Sequence, residues 1–171
     1  MKRQSLFCIV LVVFGMSPAF GQGSLLLYNP GAPTRIGSID GPLAGPGILG
    51  QFLVGATSDS LTPIGFPLEH TAGGIVFGGV GTVPQPPRTY VQVQLVAWNS
   101  EIWGDSLENV PLEWRGTTDI VPVFLSLYPT QPAFSPVFTQ PAIVPVPEPG
   151  VVSLFCLGCG IAALRLFRKK R

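Results

Sequence analysis

Between Gln22 and Gly150 the sequence contains no cysteine. The three cysteines of the chain are Cys8, Cys156 and Cys159, each inside an apolar run near one end. That absence excludes disulfides, a cysteine nucleophile and a thiolate-based zinc site from the whole central stretch. Whatever folds there is held by its core alone. The Cys156-x-x-Cys159 spacing reads as two small apolar residues, because a redox pair needs an accessible, polar thiolate. Positive charge is also scarce. The same stretch has no lysine and only Arg35, Arg88 and Arg115, against nine acidic residues, a net of −6. Nucleic acid is excluded as a partner, since binding it requires clustered Lys and Arg. The formal charge of +1 for the entire chain hides this, because seven of its ten basic residues sit at the two ends.

Catalytic groups are equally sparse. His70 is the single histidine and follows Glu69. A base with an orienting carboxylate is conceivable, but the surrounding sequence reads as a solvated loop. No Gly-x-Ser-x-Gly elbow is present. The glycine-rich Gly73–Gly79 lacks the Lys-Ser/Thr of a phosphate loop. The acids are scattered, with no Asp-x-Asp-x-Asp run for calcium. No cofactor and no enzymatic activity are expected; a glycosidase-like use of two carboxylates has no spacing to support it.

What is present is concentrated at the ends. Lys2 and Arg3 precede an eleven-residue apolar core, Leu6 to Met16, and then small residues at Ala19 and Gly21. These are the parts of a secretory signal peptide, residues 1–21, cleaved after Gly21 by signal peptidase. An uncleaved anchor is the alternative, but eleven residues fall well short of the ~20 that a span needs. At the other end, Pro147-Glu148-Pro149-Gly150 leads into fourteen uncharged residues, Val151 to Leu164. Arg165 interrupts, Leu166 and Phe167 resume, and Arg168, Lys169, Lys170 and Arg171 follow. A helix over about 150–167 would reach ~26 Å against a hydrocarbon core of ~30 Å. This suits a marginal inner-membrane span with Arg165 snorkelling to the interface. The basic cluster at 168–171 acts as a cytoplasmic stop. The prolines favour extended backbone at the membrane face, open to a processing enzyme.

Taken together, the Pro-Glu-Pro triplet, short span, basic cluster and N-terminal signal peptide resemble the PEP-CTERM sorting signal of Gram-negative bacteria. The resemblance covers residues 146–171, with Arg165 inside the span as a departure. It implies recognition and cutting by exosortase, a membrane cysteine transpeptidase. It further implies export to the cell surface, outer envelope or extracellular matrix, with exopolysaccharide or biofilm as the setting.

Upstream, residues 128–146 read as a proline-rich stalk: Tyr128 to Gly150 carries seven prolines in 23 residues and one charge. The spacing predicts extended polyproline-like chain, with pairing of Ala142 to Val146 as an edge strand the alternative. That leaves residues 22–127 as an ectodomain with short strand signals between turns: Ser24–Tyr28, Gln51–Ala56, Gly74–Val80, Tyr90–Trp98 and Ile120–Leu127. In Tyr90–Trp98 the residues Val91, Val93, Leu95 and Ala97 alternate with Gln92 and Gln94, the period of a half-buried strand. Pro122 marks the last as an edge or bulged strand. The expected fold is all-β, a small antiparallel β-sandwich, Ig-like or jelly-roll-like. Gly50–Gly55 with Ser60–Gly65, and Ala97-Trp98-Asn99, also loosely resemble strands of other PEP-CTERM ectodomains, which implies the same fold. Trp98, Trp103 and Trp114 fall in one window with Glu101, Asp105, Glu108 and Glu113. Aromatics beside carboxylates can stack on sugar rings, so these three are candidate sugar contacts of a carbohydrate-binding module; a core role is the alternative.

Overall fold

The structure, a computed structural model, describes residues 22–128 and 130–146. Nine strands dominate it: β1 (Gly23–Tyr28), β2 (Arg35–Ile36), β3 (Ile48–Gly55), β4 (Thr62–Glu69), β5 (Phe77–Val83), β6 (Tyr90–Asn99), β7 (Gly116–Thr117), β8 (Val121–Phe124) and β9 (Ile143–Val144). One short helix, α1 (Ser100–Trp103), and three single-turn 3-10 segments make up the described helical structure. The chain is therefore mostly β, and mostly antiparallel. β4, β3 and β6 pair in that order, and β7 and β8 share the far edge of β6. β1 and β5 form an antiparallel ribbon. β2 and β9 pair parallel.

The alternation in β6 has the expected consequence. Val91, Val93 and Leu95 are buried together with Phe52 and Val54 of β3, Leu25 and Leu27 of β1, and Val83 of β5. Burying each such side chain contributes about 1.5–3 kcal/mol, so this cluster holds ribbon and sheet to one another. Beyond Leu95 the alternation ends, and Val96, Ala97 and Trp98 are all buried. The reason lies in the next segment. Residues 100–115 fold back over the other face of the sheet, where Leu107 and Val110 cover Val96 and Trp98.

Strand β4 carries Pro63, Gly65 and Pro67, a composition that argues against a strand. It forms because it lies at the edge of its sheet, where a missing proline N–H costs no ladder bond. Its register against β3 jumps from Leu68, opposite Gly50, to Ile64, opposite Phe52. Gly65, Phe66 and Pro67 thus bulge out against the single residue Gln51. Gly65 has φ of +63°, which suits glycine. The Gln51 side chain donates to the Gly65 carbonyl at 3.1 Å, capping the bulge.

The stalk expected over 128–146 is the main correction. After a turn closed by Gln131 N–H on Leu127 O, the chain from Pro132 to Val146 is free of helix and lies against the domain. Leu26 N–H donates to Phe134 O at 2.9 Å, and Ser135 Oγ donates to Tyr28 O at 2.9 Å. Phe138 is buried against Phe52, with ring centroids 6.4 Å apart. Asp119 accepts from Thr139 N, from Thr139 Oγ1 at 2.6 Å and from Gln140 N at 3.1 Å. Ala142 and Val144 are buried with Ile48 and Ala97. Prolines fix the backbone of this segment in extended form, and its apolar residues between them find the core. The segment is a strap, and the alternative of pairing near Ala142–Val146 is the arrangement observed. Phe138→Ala should consequently lower stability by about 3–5 kcal/mol, the range for a buried phenylalanine. Urea unfolding measures it; on a free stalk the same change would be silent.

Candidate functional site

The three tryptophans part company in the fold. Trp98 sits on β6 with its ring fully buried, and its indole N–H donates to Gly104 O at 2.9 Å. It is a core residue, and the expectation that it contacts sugar is corrected: α1 and the turns after it close over it. The sequence builds that cover from local signals. Asn99 caps α1 by accepting from Glu101 N–H at 2.9 Å. Gly104 ends it with φ of +75°. Arg115 then donates to Leu107 O and Val110 O, fixing the 3-10 turns. Trp103 and Trp114 pack on the outside of this cluster, half-buried, with centroids 6.1 Å apart and planes tilted by 35°. They touch each other and the cover, so only part of each ring is available to a ligand.

His70 is also corrected. It is not solvated but buried, at 2 % exposure. Its Nδ1–H donates to Ile48 O at 2.9 Å, and its Nε2 accepts from the Thr34 hydroxyl at 2.8 Å. Space for the ring comes from Gly50 on β3: a Cβ there would stand 2.9 Å from His70 Cε1. Asn29 completes a buried polar node nearby. Its Oδ1 accepts from Val76 N–H at 2.7 Å, and its Nδ2 donates to Ala32 O and Gly74 O. Every ring nitrogen and amide atom of this node is engaged, and none faces a cleft. It joins the loops at 29–34 and 70–76 and is a structural element. Glu69, the supposed orienting carboxylate, accepts instead from Gly47 N–H at 3.3 Å.

The sequence reading missed Phe66. The bulge in β4 pushes this ring outward to 87 % exposure. It lines a depression of about 220 Å3 with Gln51, Pro63, Asp105, Ser106 and Glu108. An aromatic face beside two carboxylates is the constellation sought at the tryptophans, displaced to the neighbouring strand. Only the proline and glycine flanking Phe66 hint at a bulge that would expose it. Among the described residues no group of three or more His, Cys, Asp or Glu stands close enough to hold a metal ion.

The sorting residues Pro147, Glu148, Pro149, Gly150, Arg165, Arg168, Lys169, Lys170 and Arg171, the cleavage residues Ala19 and Gly21, and the expected helix at 150–167 lie outside the described residues. Among the described residues no helix is long and apolar enough to cross a membrane. The chain matches no protein-family model, no curated protein and no solved structure.

Two groups make the domain sensitive to acid. Burial depresses the pKa of His70 below its ordinary value, against the opposing effect of its bond to Ile48 O. For Asp119, partial burial opposes ionisation, but the hydrogen bonds from Thr139 and Gln140 outweigh it and hold the carboxyl below its ordinary value. In both cases the unfolded chain binds the proton more readily, so stability is present above the unfolded pKa and is lost as pH falls. His70 acts first, below about 6.5, and Asp119 follows below about 3.9. The thermal midpoint should therefore fall on acidification from neutrality to about pH 5. In His70→Gln that first loss should be reduced, which thermal scans at a series of pH values would detect.

Proposed function

We propose that this chain is an exported, non-enzymatic cell-surface or matrix protein, sorted through its C-terminus and processed by an exosortase-type enzyme. The ribbon and the five-stranded sheet would then be the two layers of a small β-sandwich ectodomain. The observation that carries the reading is an order along the chain. A cysteine-free β-domain ends in β9, and three residues after Val144 the sequence enters Pro147-Glu148-Pro149. Fourteen uncharged residues and a basic cluster follow at once. A plain membrane anchor explains the apolar run and the basic stop. It does not explain a proline-flanked carboxylate immediately before them. The saturated hydrogen bonding of His70, the one imidazole, fits a domain that presents a surface better than one that turns over a substrate.

Glu148→Ala separates a sorting signal from a spacer. One exposed carboxylate before a helix contributes only ~0.3–1 kcal/mol through the helix dipole, too little to decide insertion. A carboxylate read in an enzyme pocket leaves a polar partner unpaired when removed, at ~1–3 kcal/mol or more. Export and insertion of Glu148→Ala should be normal, with full-length precursor accumulating about tenfold or more in an exosortase-bearing host. Equal processing of mutant and wild type would reduce the triplet to a stiff spacer.

A second reading, a carbohydrate-binding module, is favoured by Phe66 and its neighbours Asp105 and Glu108. Trp103 and Trp114 connect to it only through Leu107, which lines the depression and packs in the same cluster as the pair. Binding to neutral polysaccharide on a glycan array, lost in Phe66→Ala, would support it; equal retention by Phe66→Ala would exclude this depression.

A further inference from the structure

Parallel pairing has a geometric consequence. β2 and β9 run the same way, Arg35 beside Ile143 and Ile36 beside Val144. The turn that follows β2 and the chain that leaves β9 therefore emerge at the same end of the pair. Gly37 N–H donates to Val144 O at 2.9 Å, and a Cβ on Gly37 would stand 3.5 Å from Val146 Cγ2. The turn is closed by Gly41 N–H to Ser38 O, by Ile36 N–H to Pro42 O and by Arg35 Nη1 to Gly41 O. It holds two large apolar side chains in the open: Ile39 is 53 % exposed and Leu43 41 %. Val146, beside Gly37 at the start of the turn, is 52 % exposed. Asp40 is the single charge at the tip.

The length of chain beyond this point is short. Six residues, 145–150, separate Val144 from Val151, where the uncharged run begins. Fully extended they reach ~20 Å, of which the headgroup layer takes ~5–8 Å. The strap leaves no further spacer. Once the run is in a bilayer, the turn at 37–43 is tethered within reach of the interface, with its apolar side chains around the exit point. We propose that Ile39, Leu43 and Val146 form a lipid-contacting face, on which the domain rests at the membrane surface before processing. The inference relies on the reading of residues 150–167 as a span. Apolar side chains at the tip of a turn suit the headgroup–acyl boundary, and with Asp40 among them the face suits zwitterionic rather than anionic lipid.

The test uses the full chain with Cys8→Ser, Cys156→Ser and Cys159→Ser, carrying an environment-sensitive fluorophore on Ser38→Cys or, as reference, on Ser58→Cys. Ser58 follows the end of β3, where Gly55 pairs with Gln92 near the start of β6, away from β9. The chain is reconstituted in phosphatidylcholine vesicles with or without bromine-bearing acyl chains. The expected result is a blue shift and bromolipid quenching at Ser38, absent at Ser58, and reduced by Ile39→Ser with Leu43→Ser. A Ser38 label that stays unshifted in a chain resisting carbonate extraction would overturn the lipid face and leave the span standing. A chain that carbonate extracts would overturn the span and the face together. A shift already present in detergent and growing with protein concentration would show a second copy on this face, and would overturn lipid as its occupant.

Discussion

Strand β6 is the element on which the rest of the domain depends. It is paired along both edges, with β3 on one side and β7 and β8 on the other. It also supplies residues to all three apolar clusters of the described chain. Val91, Val93 and Leu95 enter the main core, Ala97 the cluster beneath the strap, and Val96 and Trp98 the cluster beneath α1. A strand used in this way cannot be half-solvated throughout. Its first half alternates with Gln92 and Gln94, while its second half is apolar at every position because two separate covers meet there. The sequence YVQVQLVAW thus records two environments in one strand.

Those covers do the work that disulfides do in many exported domains of this size. One is local: α1 and the 3-10 turns, closed by Asn99, Gly104 and Arg115. The other comes from far along the chain, as the strap lays Phe134, Phe138, Ala142 and Val144 across strands formed about 45 to 110 residues earlier. Asp119 clasps the strap at mid-length through Thr139 and Gln140. Prolines make this route economical. A segment already restricted in the unfolded chain loses less entropy when it docks, so a short stretch with few ladder bonds can still hold its place.

The signals that were legible in the sequence are those that depend on one element at a time. Four of the five anticipated strands lie within a few residues of where they form, and the fifth, Gly74–Val80, forms later as Phe77–Val83. Pro122 marked β8 correctly as an edge. What escaped depends on a partner. Two residues, Gly116 and Thr117, become a strand only because Val96 and Ala97 offer an edge. For β4 only the resemblance at Ser60–Gly65 points to a strand, since its prolines and Gly65 count against one in isolation; edge placement and the Gln51 cap remove those objections. The strap looked like a stalk because proline spacing gives backbone form but not whether Phe138 has a Phe52 to meet. At the candidate site, nothing near His70 in sequence announces burial. The one available signal was Gly50, an unexplained glycine in an apolar strand, which often means that something packs close.

The domain also has a polarity that bears on how its two ends are used. Gly23 N–H donates to Gln85 O, and Ser24 pairs with Ser126, beside Thr89 and Leu125 at the start of β6. The strap ends beside Ala97 and Ile48, near the finish of β6. Eight residues of chain separate Thr89 from Ala97, about 26 Å at the rise of extended chain. On the proposed processing, then, the new N-terminus is left at the end of β6 remote from the place where the strap ends. Any surface near Gly23 would lie away from the bilayer while the C-terminal run is embedded, and the turn at 37–43 would lie toward it. Trp103 and Trp114 are half-buried on the face that α1 and the 3-10 turns cover, and Phe66 opens into a depression lined by Leu107 of the same cover. Capture of a polysaccharide at Phe66 would engage neither Gly23 nor the turn at 37–43, and so does not compete with the roles argued for those two places.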